Sequence, residues 1–149
     1  MSSTARTDLC VDKELGEKSL HHIGFVIDSI NESVQDFVES LSGTWDGLVT
    51  FDPNQKVRVA FLRPGTQQNP LIELVEPAGD DSPVKAFLKR GGGLHHLCFE
   101  VADLDAALRR TCDSGGLMVR PPLAAAAFSG RRIAWVYTKR RLLLEYLER

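Results

Sequence analysis

The segment Leu20-His-His-Ile-Gly-Phe-Val returns, barely changed, as Leu94-His-His-Leu-Cys-Phe-Glu, with the second histidines of the two copies 74 positions apart. In a chain of 149 residues that offset is about half the length, and an internal repeat on this scale sets the architecture before any other pattern does. Each copy runs on into a helix. Ser29 and Glu32 have capping-box spacing, and Val34, Phe37, Val38 and Leu41 then fall at i, i+3, i+4 and i+7 before Gly43. In the second copy Asp103 stands as cap, with Leu104, Ala107, Leu108 and Thr111 as the helical stripe before Gly115-Gly116.

Strand-like runs follow both helices: Val57–Leu62 and Leu71–Val75 in the first half, Ile133–Tyr137 and Leu142–Leu147 in the second. Their ends match too, since Leu71-Ile-Glu-Leu corresponds to Leu143-Leu-Glu-Tyr with the glutamates 72 positions apart. The pattern predicts an α+β fold of two tandem βαβββ modules, residues 19–78 and 94–149, within one domain over 19–149. Between them, Ser82 as cap and Pro83 at the first helical position open a linker helix inside 79–93, with Val84, Phe87 and Leu88 facing inward and Gly91-Gly92-Gly93 ending it. Residues 1–18 are polar without sustained periodicity and read as a flexible leader.

In a strand alternate side chains share a face, so one histidine of each doublet is expected to face a cavity shared by the two modules. The repeat nominates His22 and His96, while the large apolar neighbours of His21 and His95 place that second pair against the helices. Glu73 and Glu145 stand inside apolar runs, where an ionised carboxylate is costly to bury unless it is paired or bound to a cation. Two histidines and two carboxylates from symmetry-related strands make an N/O ligand set for one divalent ion such as Co2+, Zn2+, Mn2+ or Ni2+, with Fe(II) also compatible and Ca2+ disfavoured. Open coordination positions would accept substrate oxygens.

Bulk composition narrows the function classes. A net charge of −2 offers no global attraction for nucleic acid or an acidic membrane, although Arg131, Arg132, Lys139, Arg140 and Arg141 form a basic stretch that suits an anionic ligand. No apolar run approaches the roughly 20 residues of a membrane span, and the polar start lacks a signal-peptide layout, so a cytoplasmic location is expected. Cys10, Cys98 and Cys112 show no metal-binding or disulfide spacing and are expected to be reduced.

The stretches LHHIGFV, NQKVRVAFL, LIELVEP, DDSPVKAFLKRGGGLHHLCFEVADLDAAL and LLLEYLE resemble the vicinal oxygen chelate superfamily, and most closely its methylmalonyl-CoA epimerases. The resemblance runs from about Leu20 to Leu147. It implies an incomplete, eight-stranded mixed β-barrel with the metal inside, held at the His22, Glu73, His96 and Glu145 positions, and a homodimer. It implies a CoA-type acyl thioester or another vicinal-dioxygen substrate, epimerised by removal of the α-proton through a metal-stabilised enolate.

Glu145 matches a family carboxylate implicated in both metal binding and proton transfer. The partner carboxylate of some epimerases falls at Val59, which leaves Glu100, on the face of His96, as the second expected proton-transfer residue. Two rim segments also depart from the epimerase pattern: Leu123–Gly130 lacks the usual glycines, and Tyr137-Thr-Lys-Arg-Arg is a shortened turn. The competing expectations are a glyoxalase I-type isomerase and a non-catalytic small-molecule binder of the same fold. An extradiol dioxygenase needs only three protein ligands, and Glu73 is a fourth.

Overall fold

The computed structural model describes residues 17–149; residues 1–16, with most of the expected leader and Cys10, lie outside the described residues. The first half contributes β1 (Ser19–Val26), α1 (Ile30–Ser40), β2 (Thr44–Trp45), β3 (Thr50–Asp52), β4 (Val57–Arg63) and β5 (Leu71–Pro77). Helix α2 (Lys85–Lys89) leads into β6 (Gly93–Val101), α3 (Leu104–Asp113), β7 (Leu117–Ala124), β8 (Arg132–Tyr137) and β9 (Leu143–Glu148).

These strands form one mixed, open sheet in the order β2-β4-β5-β1-β6-β9-β8-β7, with β3 also paired to β4. Strand β1 runs parallel to β5 and β6 parallel to β9, while β1 and β6 meet antiparallel at the centre. Pairing thus repeats outward from the β1–β6 seam. This is the expected incomplete barrel, but with nine strands. The extra one arises because β2 and β3 divide between them the edge that β7 occupies alone: β2 pairs with Leu62 and Arg63 of β4, β3 with Val57–Val59. The chain leaves the sheet between them at a turn where Gly47 adopts φ +82°.

Strand alternation sorts the apolar residues onto two faces. On the outer face Ile30 and Val34 of α1 pack on Ala60, Leu62, Ile72 and Leu74, and Leu104, Ala107 and Leu108 of α3 pack on Ala134, Val136, Leu144 and Tyr146. The inner face carries one cluster of Val26, Val57, Val59, Val75 and Val84 and another of Cys98, Ala125, Phe128, Ile133 and Leu147. Both helix caps form as the spacing predicts, with Ser29 Oγ accepting from Glu32 N at 3.3 Å and Asp103 Oδ1 from Ala106 N at 2.8 Å. The reciprocal half of the first box is supplied by Asp28, whose Oδ1 accepts from Ser29 N at 3.0 Å.

The linker helix differs from expectation. It is a five-residue helix starting at Lys85, its N-cap position is Val84 without a side-chain cap, and the buried Ser82 hydroxyl has no hydrogen-bond partner among the described residues. Ser82 contributes its carbonyl instead, accepting from Lys85 N at 3.1 Å, because Pro83 and Val84 form a turn that seats Val84 in the inner cluster. The two halves are also tied across the open side. Fully buried Asp52 at the end of β3 accepts from the backbone of Asn54, Gln55 and Ala126, the last on a 3-10 turn (Ala126–Phe128) after β7.

Candidate metal centre

The central strands present His22 and His96, and their parallel neighbours present Glu73 and Glu145. Register sets Glu73 beside Gly24 and Glu145 beside Cys98, while His96 lies across from Gly24 and His22 across from Cys98. All four expected ligands therefore meet on the inner face, and all four are buried. His22 Nε2 lies 3.3 Å from Glu73 Oε2 and 3.1 Å from Glu145 Oε2; His96 Nε2 lies 3.3 and 3.5 Å from the same atoms; the two Nε2 atoms are 3.2 Å apart. Four donor atoms within 4.8 Å of one another surround a single point. Gly24 leaves room for one of them, since a Cβ there would sit 2.0 Å from Cε1 of His96.

The first histidine of each doublet departs from simple alternation. Pairing between β1 and β6 slips once between Leu20 and His22 and once between Gly24 and Phe25, so His21 and His95 are each the extra residue of a β-bulge. A bulge lets consecutive side chains reach the same region. His21 Nδ1 lies 2.8 Å from His22 Nδ1, and His95 Nδ1 lies 3.0 Å from His96 Nδ1. Rather than packing on α1 and α3, His21 is wedged against Phe61 and Phe128, and His95 against Phe87 of α2 and Trp135. Each doublet thus engages the ligand ring at Nδ1 and leaves Nε2 to face the centre.

Electrostatics follow from burial against pairing. Burial pushes the Glu73 carboxyl up, but the charge and hydrogen bonds of His22 and His96 outweigh it and hold it below the usual carboxylate range. Glu145 is lowered in the same way. Burial works to lower His22 and His96, yet the two carboxylates carry both above the ordinary imidazole value, His22 well above. The cage is therefore built around two positive charges, which two ring protons or one divalent cation can provide. Glu145 Oε2 is buried without a hydrogen bond of good geometry among the described residues, as a carboxylate oxygen aimed at a cation would be. An imidazole and carboxylate donor set of this composition fits a borderline divalent metal.

The sequence profile of the glyoxalase/bleomycin resistance protein/dioxygenase superfamily matches residues 21–135, which hold three of the four cage residues. The chain belongs to this superfamily. It is 28% identical over 122 residues to the ethylmalonyl-CoA/methylmalonyl-CoA epimerase of Cereibacter sphaeroides, covering 80% of this chain and 88% of that protein. It is 35% identical over 119 residues to an uncharacterized protein of Bacillus subtilis, covering 78% and 81%. The fold is similar to that of methylmalonyl-CoA epimerase from Mycobacterium tuberculosis, with a TM-score of 0.73 at 26% identity over 87% of this chain and 86% of that one.

A hollow lies beside the His/Glu cluster. A cavity of about 180 Å³ is floored by Glu73, His96 and Glu145, walled on one side by Val57, Val59, Val75 and Val84, and on the other by Arg120, Trp135 and Tyr137. Val59 is 3% exposed and faces it directly. Glu100 is not brought to the cluster: its Oε1 accepts from Arg131 Nη1 at 3.0 Å, and it is not among the residues lining this cavity. The rim segment Leu123–Gly130 is more deeply used than its composition suggests. Phe128 stacks on the His22 ring at 5.8 Å, and Ser129 at φ +55° adopts the left-handed backbone that favours glycine. Sequence reasoning passed over Arg120 and Trp135, although Trp135 lies across from Glu145 as Phe61 lies across from Glu73, a second layer of the repeat.

Proposed function

We propose that this chain is a divalent-metal-dependent epimerase of methylmalonyl-CoA or a related acyl thioester. The observation that carries the reading is the convergence of His22, Glu73, His96 and Glu145 beside a cavity of acyl-group size. Similarity to proteins named as methylmalonyl-CoA epimerases supports it, among them one solved with methylmalonyl-CoA and NH4+ at 25% identity and a TM-score of 0.73. A divalent ion held by these four residues supplies Lewis-acid polarisation of substrate oxygens, which makes the α-proton more acidic. Glu145 is the buried carboxylate assigned to accept that proton. The valine wall supplies no proton, so the opposite-face proton has to come from another side of the cavity, where His95 and Tyr137 are the titratable side chains.

The test is incubation of methylmalonyl-CoA with protein and Co2+, Zn2+, Mn2+ or Ni2+ in D2O. Inversion with deuterium at the α-carbon is expected, abolished by a chelator and lowered at least about a hundredfold by Glu145→Gln, in keeping with the size of general-base effects. Absence of exchange with any acyl thioester under any of these ions would sink the reading. Turnover of glutathione hemithioacetals instead would move the chain to the glyoxalase I-type alternative.

A further inference from the structure

Asp52 is fully buried at the end of β3, which joins the sheet by pairing with β4, and β4 stands between it and β5, the nearest strand with a cage residue. A carboxylate offers two oxygens and about four acceptor positions, and Asp52 fills them. Its Oδ1 accepts from the amides of Asn54 and Gln55 at 2.9 and 3.0 Å, closing the turn into β4. Its Oδ2 accepts from Gln55 Nε2 at 3.2 Å and from Ala126 N at 3.0 Å. Closing the turn needs only the first oxygen. The second begins two arms that end on the cage.

Along one arm, Gln55 Oε1 accepts from Trp135 Nε1 at 3.1 Å, and the Trp135 ring stands edge-on to the His96 ring with centroids 4.6 Å apart. Along the other, Ala126 opens the 3-10 turn that ends at Phe128, whose ring stacks on His22 at 5.8 Å and 19°. One carboxylate thus reaches both imidazoles, one in each half of the sheet, through a single aromatic ring each. The contacts with His21 and His95 engage the ligand rings at Nδ1, and the two aromatic rings restrict rotation of their planes. Groups behind metal ligands matter because they hold the donor atom on target. Building on the metal-dependent reading in the previous section, we propose that Asp52 is a positioning residue for both imidazoles. It holds the His96 ring through Gln55 and Trp135, and the His22 ring through Phe128.

Asp52→Asn separates this role from that of an edge staple. Its one carbonyl oxygen can keep the turn at Asn54 and Gln55, while an amide nitrogen in place of Oδ2 faces two donors and breaks both arms. Gln55→Leu breaks the His96 arm alone. In metal-free protein, heteronuclear NMR of the ring Cε1–H groups reads ring placement through the ring currents of Phe128 and Trp135. D52N is expected to shift both His22 and His96, and Q55L to shift His96 only. In a Co2+ titration followed by visible absorption, D52N should weaken binding by about tenfold, the low end of such effects. Q55L should weaken it less, with far-ultraviolet dichroism unchanged in both. Unmoved rings in folded D52N, or a Co2+ affinity equal to that of wild type, overturn the proposal and leave Asp52 a staple. If D52N does not fold, Q55L decides: a shift at His96 without one at His22 supports the proposal, and no shift overturns it. The expected ring shifts in a protein that takes up no Co2+ support Asp52 and overturn the metal reading alone.

Discussion

His22 and His96 each meet the histidine before them through Nδ1, at 2.8 and 3.0 Å, and that contact settles which ring nitrogen is free. Outer partners of this kind typically govern metal affinity by about 10–100-fold. His21→Leu is expected to weaken Co2+ binding by that factor, followed by the visible absorption of the ion, while His21→Asn, which keeps an acceptor, should retain most of it; equal loss in both would argue for a packing role alone. Gly24→Ala tests the same ring from behind, because a Cβ 2.0 Å from Cε1 of His96 must displace it. Its expected signature is lost Co2+ binding with the far-ultraviolet dichroism unchanged.

The pH dependence at this scale has a definite sign. In the metal-free protein the His22 and His96 values lie above 6.5, so their stabilisation is complete below 6.5 and is lost as pH rises through the folded values. Glu73 and Glu145 lie below 4.5, so theirs is complete above 4.5 and is lost as pH falls through the folded values. Metal-free Tm should therefore be highest between these limits and decline toward alkaline pH. Metal affinity should rise over the same alkaline range, because the ion displaces protons; a Tm that climbs above pH 7 without metal would contradict this.

At the level of elements, bulges do the positioning that plain strands cannot. They bring the histidine doublets of β1 and β6 and the Val119-Arg120 pair of β7 onto the inner side of the sheet. The open edges are then held by Asp52, whose buried carboxylate receives the backbone amides of Asn54, Gln55 and Ala126 at 2.9 to 3.0 Å. Asp52→Ala strips the shared acceptor from several partly buried donors and is expected to cost about 1–3 kcal/mol in urea unfolding. Asp52→Asn keeps one acceptor oxygen and should cost less; identical losses would show that these hydrogen bonds are not what stabilises the edge.

For the whole molecule, the His/Glu cage is also a clasp under the proposed function, since each half of the sheet supplies one histidine and one glutamate. An ion bound only by the folded state stabilises both halves together, by about 2.7 kcal/mol at a hundred times its Kd, or roughly 5–10 °C in Tm for a chain of this size. Scanning calorimetry with Co2+ should show that rise as a single transition, reversed by chelator and absent in Glu73→Gln. Two separated transitions would mean that the halves do not fold as one unit. No helix among the described residues is long and apolar enough to cross a membrane.

The repeated LHH segments and the matched glutamates in apolar runs were sufficient, without coordinates, to indicate two modules, both capped helices and the four residues that converge. Those features are local or periodic, and duplication doubled their signal. Strand β7, the division between β2 and β3 and the late start of α2 were not legible, because Pro121-Pro122, Gly47 and Pro83 interrupt the periodicities that reveal elements. The doublet histidines were misread for a related reason: alternation predicts opposite faces, and only pairing with a neighbouring strand creates a bulge. Chain pattern thus determined which residues form the cage. Tertiary register alone decided what surrounds it, placing Glu100 on Arg131, Phe128 behind His22 and Arg120 in the cavity, since such contacts depend on strands distant in sequence.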